Sequence, residues 1–419
     1  MARIVITTWG SYGDVYPFIG LALALRDRGH ELVLAMPALY RENVEREGLR
    51  FMPIRPDISI HDREMAARIM DPATGPQMLF GEVIVPSLTH SHADLTNAVD
   101  RADLLITHPA VPAGPIVAEE RRIRWASAVL APMSFFSVSD PVVPPPAPWI
   151  QPWLARSTSL SRTFLWMTNH ITRAWADPIQ QFRVARGLAR GSNPILAGQH
   201  SPHLVLALFS RVMATAQPDW PANVCVTGPS LYNGPDLPLP EPLTRFLNEG
   251  SPPVVFTLGT SAVSAAGTFY EISARAAEQL GQRAVLLVGP YVQNRPSQAG
   301  PDVHVAEFAP HAALFARASA VVHQGGAGTL HQALVNGRPM LVVPHAHDQP
   351  DNAARVTRLG VARTVYPRQY TVSRLVQELG LLGEARYTRR AAEVGAIVQA
   401  ENGPQRASDA IETLLAISR

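Results

Sequence analysis

The residues best suited to chemistry lie between positions 318 and 352, where two short apolar runs each end in polar side chains. His323 ends the first run, and a turn containing Gly325, Gly326 and Gly328 follows it. Glycines let the backbone approach a ligand closely, and the free amides at the start of a helix attract phosphate. This part of the segment is therefore predicted to bind a diphosphate.

The second apolar run, residues 340–344, leads into His345, His347, Asp348 and Gln349. Carboxylate and amide side chains are suited to hydrogen bonding with sugar hydroxyls. Adjacent parallel strands end at the same crevice, so both runs are predicted to serve one ligand site. The two histidines also form an H-x-H pattern, which leaves a metal site open as an alternative.

A carboxylate suited to general-base catalysis, Asp14, lies in the turn 10–14. A general base must reach the proton it removes, and a strand-end turn can present it. The alternative is an aspartate that only caps the following helix. His108 follows the apolar run 104–107, where it either pairs with Asp14 or only ends the strand.

These side chains must be positioned by two doubly wound α/β halves, because a strand–turn–helix–strand pattern occurs twice. The successive strand, helix and strand are predicted at 3–8, 18–28 and 31–36, and again at 253–258, 268–280 and 284–288. Short β-branched runs alternating with helices indicate a parallel sheet. The proline-rich stretch 218–250 between the two halves is predicted to be a linker.

The composition excludes several classes of protein. None of the 419 residues is lysine, which excludes Schiff-base enzymes and P-loop NTPases. Any bound phosphate must therefore be held by amides, hydroxyls, histidine or arginine, and its charge is expected to be neutralised by His323 together with oriented backbone amides. A formal net charge of +2 argues against a nucleic-acid partner. The single Cys225 excludes an internal disulfide, and no apolar stretch is long enough to span a membrane. A cytoplasmic protein is expected.

Residues 318–352 resemble the nucleotide-sugar signature of family 1, the UDP-glucosyltransferase-like glycosyltransferases of the GT-B fold. Residues 10–17 resemble the same loop in bacterial sterol, macrolide and glycopeptide glycosyltransferases. The resemblance implies an α/β fold of two facing, doubly wound Rossmann-like domains with a cleft between them. The implied division is an acceptor-binding domain at 1–217, the linker at 218–250, a nucleotide-sugar-binding domain at 251–402, and a final helix at 403–419 that packs back on the first domain.

The resemblance also implies the residues of the donor site. Thr260 would contact the diphosphate, and Phe308 would stack on the base. His331 stands where plant enzymes have a glutamate that binds the ribose, so the resemblance does not decide between a UDP-sugar and a dTDP-sugar as the donor. The implied donor-binding residues are Ser11, Thr260, Phe308, His311, His323, Gly325, Gly326, Gly328, Thr329, Asp348 and Gln349.

The reaction implied by the resemblance is an inverting transfer of a hexose, with glucose the first expectation, to a hydroxyl of an apolar small molecule. The acceptor would be a natural product, phenolic, sterol or lipid-like compound. Asp14 would be the general base, with His108 as its partner. The nucleotide-sugar is the donor substrate, and neither a further cofactor nor a metal is expected.

Aromatic residues in the first half are candidates for acceptor binding, with ordinary core packing as the alternative. Met133, Phe135 and Phe136 follow a predicted strand end and are the residues assigned to the acceptor. Arginines between residues 156 and 173 leave peripheral binding to a membrane surface as an open alternative. The sequence is compatible with a monomer or a dimer.

Two other functions remain as alternatives. A catalytically silent relative would bind nucleotide-sugar or assist a partner enzyme, but it would be expected to lose the base or the donor-binding residues. A nucleotide-sugar epimerase would need further acid and base carboxylates around the sugar. The aromatic segment at 133–175 argues against that second alternative.

Overall fold

The computed structural model describes residues 1–58, 62–235 and 237–417. The strands are β1 Arg3–Thr7, β2 Glu31–Met36, β3 Arg50–Pro53, β4 Leu104–Thr107, β5 Arg124–Val129, β6 Leu204–Ala207, β7 Val224–Val226, β8 Val254–Thr257, β9 Ala284–Leu287, β10 Val303–Ala306, β11 Ala320–His323, β12 Met340–Val342 and β13 Ala362–Thr364.

The helices are α1 Tyr12–Asp27, α2 Arg41–Arg46, α3 Arg63–Ile69, α4 Gly75–Met78, α5 Leu88–Ala98, α6 Ala113–Arg121, α7 Gln151–Arg156, α8 Thr158–Ala185, α9 Glu241–Asn248, α10 Gly259–Ala262, α11 Phe269–Leu280, α12 His311–Phe315, α13 Ala327–Val335, α14 Gln349–Arg358, α15 Val372–Leu382, α16 Ala385–Gln399 and α17 Gly403–Ala416. None of the helices in the described part of the chain is long and apolar enough to cross a membrane.

The first sheet is parallel, with the strand order β3-β2-β1-β4-β5-β6-β7 among the described residues. The five inner strands are mainly apolar runs that are buried on both faces, as a parallel sheet requires, whereas the edge strands β3 and β7 are partly exposed. The chain winds outward from β1 to β3 and then returns to β4 on the other side of β1. This reversal creates a switch point between β1 and β4, and open α/β sheets bind ligands at the carboxyl ends of the strands beside such a point.

The second sheet repeats this arrangement with the order β10-β9-β8-β11-β12-β13. Its switch point lies between β8 and β11, where Thr257 pairs with His323 at the carboxyl end of the ladder. The predicted fold class, two doubly wound parallel sheets of the Rossmann type, is confirmed.

Contacts divide the chain into two units that differ in detail from the predicted division. The first unit comprises Met1–Ser59, Thr74–Tyr232 and Glu401–Arg419, and the second comprises Ile60–Ala73 and Asn233–Ala400. Helix α3 belongs to the second unit, and Met70, the residue that directly follows it, lies in that unit's apolar core.

The predicted linker also contains regular structure. Residues 224–226 form β7, the last strand of the first sheet, and residues 241–248 form α9 of the second unit. The final helix, α17, packs against α1, where Arg28 Nη1 lies 2.6 Å from the Asp409 carboxylate and 2.8 Å from that of Glu412.

The first helix begins earlier than predicted, at Tyr12 instead of Phe18. Ser11 is its N-cap, and the carboxylate of Asp14 accepts the Ser11 backbone N–H at 2.8 Å. This capping box starts the helix directly after the glycine turn, and Pro17 therefore lies inside the helix.

Candidate active site

His323 is the last residue of β11 and lies at the switch point of the second unit. Its side chain is fully buried, and Nδ1 accepts a hydrogen bond from the backbone N–H of Gly325 at 3.0 Å. Burial, together with the nearby His311, lowers the pKa of His323 from 6.5 to about 3. The imidazole is therefore neutral, and because Nδ1 accepts, the proton is assigned to Nε2.

The Nε2 atom of His323 is buried and has no hydrogen-bond partner among the described residues. Buried N–H groups are nearly always paired, and an unpaired one costs about 1–3 kcal/mol. An oxygen atom of a bound ligand would satisfy this donor. The lowered pKa favours a neutral imidazole that offers a hydrogen bond, and neutralisation of a diphosphate by His323 stays a prediction.

Helix α13 begins beside His323 with a glycine, Gly326, as its N-cap. A glycine has no side chain to cap the helix, so its first amides remain available and carry partial positive charge. Gly325 has a φ of +93°, and a Cβ atom there would lie 2.8 Å from Cγ1 of Val342. The chain thus needs glycine at this turn, whose amides suit a phosphate group.

Gln324 is a residue of this site that the sequence analysis missed. Its side chain is wedged between two glycine turns, because a Cβ on Gly259 or on Gly326 would lie 2.4 or 2.9 Å from Gln324 Nε2. Its Oε1 is buried and has no partner among the described residues. Gly259 and Gly326 were the features of the sequence that could have indicated this residue, since the absence of a side chain at both positions leaves room for the Gln324 amide.

The side chains after β12 are interlocked by Asn352, which the sequence analysis also missed. Its Nδ2 donates to the backbone carbonyl of Gly325 at 2.9 Å and to Oδ2 of Asp348 at 2.7 Å. Asn352 therefore ties the predicted phosphate turn to the predicted sugar-binding carboxylate. The Gln349 Oε1 atom is occupied, since it accepts the backbone N–H of His345 at 2.9 Å. Only the Gln349 Nε2 remains to donate to a ligand.

The remaining predicted donor residues of the second unit lie at strand ends as well. Thr260 is in α10 shortly after β8, and Phe308 follows β10 as a residue that is 59% exposed. His311 begins α12, where its ring stacks on Phe315 at 4.7 Å, and burial lowers its pKa to about 4. An exposed phenyl ring beside a strand end is suited to stacking on a base.

The H-x-H pair does not converge on one point. His347 has a φ of +55°, and its Nε2 lies 2.9 Å from the backbone carbonyl oxygen of Ile69. His345 instead has a buried Nε2 with no partner among the described residues, and burial lowers its pKa to about 4. Within the described ranges, no three histidine, cysteine, aspartate or glutamate side chains are grouped to hold a metal ion.

In the first unit, Asp14 lies in the first turn of α1, directly beyond the end of β1. Its Oδ2 accepts two hydrogen bonds from Ser11, from the backbone N–H at 2.8 Å and from the hydroxyl at 2.9 Å. Its Oδ1 accepts none from the described part of the chain. The capping alternative thus holds for one carboxylate oxygen, while the other remains available to a proton donor.

Gly10 and Tyr40 fix the turn that carries Asp14. Gly10 has a φ of +141°, and a Cβ atom there would lie 2.4 Å from Oδ2 of Asp14. The hydroxyl of Tyr40, a fully buried residue, donates to the Gly10 carbonyl at 2.6 Å. The carboxylate is therefore held by a turn that only glycine can form.

His108 follows β4, on the other side of the same switch point, and its backbone N–H donates to the Thr7 carbonyl at 3.1 Å. Burial lowers the pKa of His108, and the nearby Asp14 carboxylate, which raises it, offsets part of that effect. Its Nδ1 accepts from the Ala110 N–H at 3.4 Å, which assigns the proton to Nε2. The two predicted catalytic residues therefore lie close enough for the charge of Asp14 to affect the pKa of His108.

Two family profiles match the chain. Residues 4–79 match the glycosyltransferase family 28 N-terminal domain, and residues 284–414 match the C-terminal domain of proteins like erythromycin biosynthesis protein CIII. Over 426 aligned positions, the chain is 30% identical to O-mycaminosyltylonolide 6-deoxyallosyltransferase from Streptomyces fradiae, with 98% of this chain and 97% of that protein covered. The chain belongs to family 1 of the GT-B glycosyltransferases, of the bacterial natural-product type.

Solved structures agree with this glycosyltransferase fold. The chain superposes on the glycosyltransferase of kitacinnamycin with a TM-score of 0.73 at 20% identity, covering 99% of each chain. It superposes on the glycosyltransferase VinC in complex with dTDP with a TM-score of 0.70 at 20% identity, covering 99% of this chain and 100% of that one. The protein is a hexosyltransferase-type enzyme that uses a nucleotide-sugar donor.

One acceptor-binding prediction for this glycosyltransferase needs correction. Phe135 is buried, and its ring stacks on Trp220 at 3.9 Å and on His200 at 5.2 Å. The ring is therefore occupied by core packing and is not available to an acceptor. Met133 and Phe136 are partly exposed, and Phe136 has a left-handed φ of +46°. These two residues stay candidates for acceptor binding.

We expect the Gly325→Ala substitution to destabilise the second unit of this glycosyltransferase by about 2–4 kcal/mol, because strain at positive φ adds to overlap with Val342. Chemical denaturation would measure the loss. Gly281→Ala is the matched control, since Gly281 has a φ of +59° with no atom within 4 Å of its Cβ position. Equal losses for both variants would show that the turn tolerates a side chain.

Proposed function

We propose that this enzyme transfers a hexose from a UDP- or dTDP-sugar to a hydroxyl group of an apolar small molecule, with inversion at the anomeric carbon and without a metal. The observation that carries the proposal is the buried, unpaired Nε2–H of the neutral His323 beside the uncapped start of α13. A hydrogen-bond donor and a helix dipole together suit a diphosphate that leaves with negative charge.

On the acceptor side, Asp14 takes the proton. As the acceptor oxygen attacks the anomeric carbon, its O–H bond breaks and the proton moves to the free carboxylate oxygen, Oδ1. The bond from the anomeric carbon to the diphosphate oxygen breaks on the opposite face, which inverts the configuration. The two hydrogen bonds from Ser11 to Oδ2 orient the carboxylate for this step.

On the donor side, the chain replaces the missing lysine with neutral donors. His323 Nε2–H and the α13 amides bind the diphosphate oxygens, and Thr260 and Thr329 add hydroxyls. Asp348, held by Asn352, accepts from the sugar hydroxyls, and Gln349 donates through Nε2. Phe308 stacks on the base. The similarity to a 6-deoxyallosyltransferase favours a hexose or deoxyhexose donor.

The test is a screen of UDP- and dTDP-hexoses against phenolic, steroid and polyketide alcohols, with products identified by mass and anomeric configuration by NMR. We expect a β-linked product from an α-linked donor. Nucleotide binding without transfer to any acceptor would instead support a silent relative.

We expect transfer to continue at its full rate after dialysis against EDTA, because the diphosphate is bound by hydrogen-bond donors alone. The rate before and after dialysis, and after addition of Mg²⁺ or Mn²⁺, measures this directly. Activity lost on chelation and restored by a divalent ion would contradict the metal-free mechanism.

A further inference from the structure

Asn352 lies in α14 of the second unit, one helical turn after Asp348, and is almost fully buried. Its Nδ2 donates two hydrogen bonds, at 2.9 Å to the carbonyl oxygen of Gly325 and at 2.7 Å to Oδ2 of Asp348. Both partners are acceptors, which assigns the amide nitrogen to this side of the group. Both hydrogens on Nδ2 are therefore used within the protein.

The first partner, Asp348, is the N-cap residue of α14. An aspartate at this position commonly accepts a backbone N–H from the first turn of the helix. The side chain of Asp348 makes no such capping hydrogen bond, and its Oδ2 accepts from Asn352 instead. A hydrogen bond to an ionised carboxylate is about twice as strong as one between neutral groups. Asn352 thus favours an orientation of the predicted sugar-binding carboxylate that helix capping does not supply.

The second hydrogen bond fixes the peptide plane between Gly325 and Gly326. In a planar trans peptide, the carbonyl oxygen and the following N–H point in opposite directions. Because Asn352 holds the carbonyl oxygen of Gly325, the N–H of Gly326 points away from Asn352. Gly326 is the N-cap of α13, in the turn whose amides are predicted to bind the diphosphate. Asn352 therefore also orients a group on the phosphate side of the site.

Gly325 extends this network to His323. The N–H of Gly325 donates to His323 Nδ1 at 3.0 Å, while its carbonyl accepts from Asn352. Asp348 and Gly325 are distant in sequence, and one buried amide joins them. Loss of that amide would remove a hydrogen bond from both at once.

We propose that Asn352 is a positioning residue that couples recognition of the sugar to recognition of the diphosphate. It orients both Asp348 and the Gly325–Gly326 peptide, so a displacement of either partner is transmitted to the other. The ligand-binding roles of Asp348 and of the α13 amides rest on the proposed function, whereas the hydrogen bonds of Asn352 do not.

Calorimetry with UDP-glucose and UDP on the full-length protein tests the coupling. We expect Asn352→Ala to weaken UDP binding by about threefold and UDP-glucose binding by about tenfold to thirtyfold, because only UDP-glucose carries the sugar that Asp348 binds. The pair dTDP-glucose and dTDP is measured in the same way. Equal factors for the sugar nucleotide and its diphosphate, or an unchanged affinity for the diphosphate, would overturn the coupling.

Asn294→Ala is the matched control, which separates positioning from folding. Asn294 is also almost fully buried in the second unit, and its Nδ2 donates to the carbonyl oxygens of Val263 at 2.7 Å and Val288 at 2.9 Å. Neither acceptor is a predicted donor-binding group. Both alanine variants should lose stability in chemical denaturation, but only Asn352→Ala should raise the ratio of the UDP-glucose Kd to the UDP Kd. A ratio that rises equally in both variants would reduce Asn352 to a structural role.

A double-mutant cycle with Asp348→Ala tests the route of the effect. When Asp348 is already absent, Asn352→Ala should weaken UDP-glucose and UDP by the same factor, since the sugar has lost the group that Asn352 orients. An additional loss for UDP-glucose in that background would contradict the proposed route.

Asn352→Asp keeps the size of the side chain but turns an acceptor towards Asp348. It should raise the Kd ratio at least as much as Asn352→Ala does, because two carboxylates repel each other at this distance. This variant also leaves no cavity, so it decides the question even where Asn352→Ala fails to fold. A wild-type ratio in Asn352→Asp would refute the proposal.

Steady-state kinetics keep this proposal separate from the proposed function. With an acceptor found in the screen, Asn352→Ala should raise the KM for the donor and leave the KM for the acceptor unchanged. Transfer with a wild-type donor KM in this variant would contradict the role of Asn352 alone. A chain whose Kd ratio responds as expected, but which transfers no sugar, would contradict the proposed function alone.

Discussion

Replacing Asp14 with asparagine is expected to lower kcat by about 10²–10⁴ while leaving the donor KM nearly unchanged. Asparagine keeps the shape of the side chain, and its Oδ1 can still accept the two hydrogen bonds from Ser11. What it loses is the ability to take a proton from the acceptor hydroxyl. The measurement is kcat and KM for donor and acceptor with the best pair from the screen.

Two controls separate catalysis from folding in that experiment. The affinity for UDP or dTDP should be the same in Asp14→Asn as in the wild type, because the proposed diphosphate-binding groups of α13 lie in the other unit. Ser11→Ala removes one of the two hydrogen bonds to Oδ2 and should lower kcat by about tenfold at most. An Asp14→Asn variant with wild-type kcat would eliminate this carboxylate as the base.

The fold could be predicted from the sequence because its signals are local. Each half begins with a short β-branched run, continues through a glycine turn into a helix, and returns to a second apolar run. Such a pattern leaves few topologies, since parallel strands require helical crossovers. The positions of His323 and Asp14 at strand ends followed from the same pattern.

The packing of segments that are distant in sequence could not be predicted in this way. Helix α3 and Met70, which follows it, belong to the second unit, although the chain on both sides of residues 60–73 belongs to the first. Phe135 is held in the core by Trp220, which lies 85 residues away in the sequence. In both cases the sequence around one residue contains no pattern that indicates its distant contact.

The charge state of the site could not be predicted either, because it results from burial. An exposed histidine has a pKa near neutrality and could carry a charge to a diphosphate. In the folded chain, His311, His323 and His345 have pKa values of about 3 to 4, because each is removed from water. With these lowered pKa values we expect a chain without lysine to bind its donor through neutral groups, an expectation that only the three-dimensional structure supports.

Replacing His323 with alanine is expected to weaken UDP or dTDP binding by about 10- to 100-fold, because a hydrogen bond to a charged oxygen contributes roughly 1.5–3 kcal/mol. Binding of the nucleosides uridine and thymidine should not change, since neither carries the diphosphate. His304→Ala is the matched control, because His304 also lies in a strand of the second unit and burial also lowers its pKa. Calorimetry on the three proteins measures the effect.

The pH dependence of donor affinity distinguishes whether His323 binds the diphosphate as a charged imidazolium or as a neutral hydrogen-bond donor. A histidine with its ordinary pKa of 6.5 would gain a proton as the pH falls, and attraction for the diphosphate would then increase. With the pKa lowered to about 3, His323 stays neutral, so UDP-glucose affinity should be flat between about pH 5.5 and 8. UDP-glucose is the right ligand because its diphosphate diester does not titrate in this range. Affinity that rises about tenfold at acid pH, and loses that rise in His323→Ala, would mean that the imidazole is charged when the donor binds.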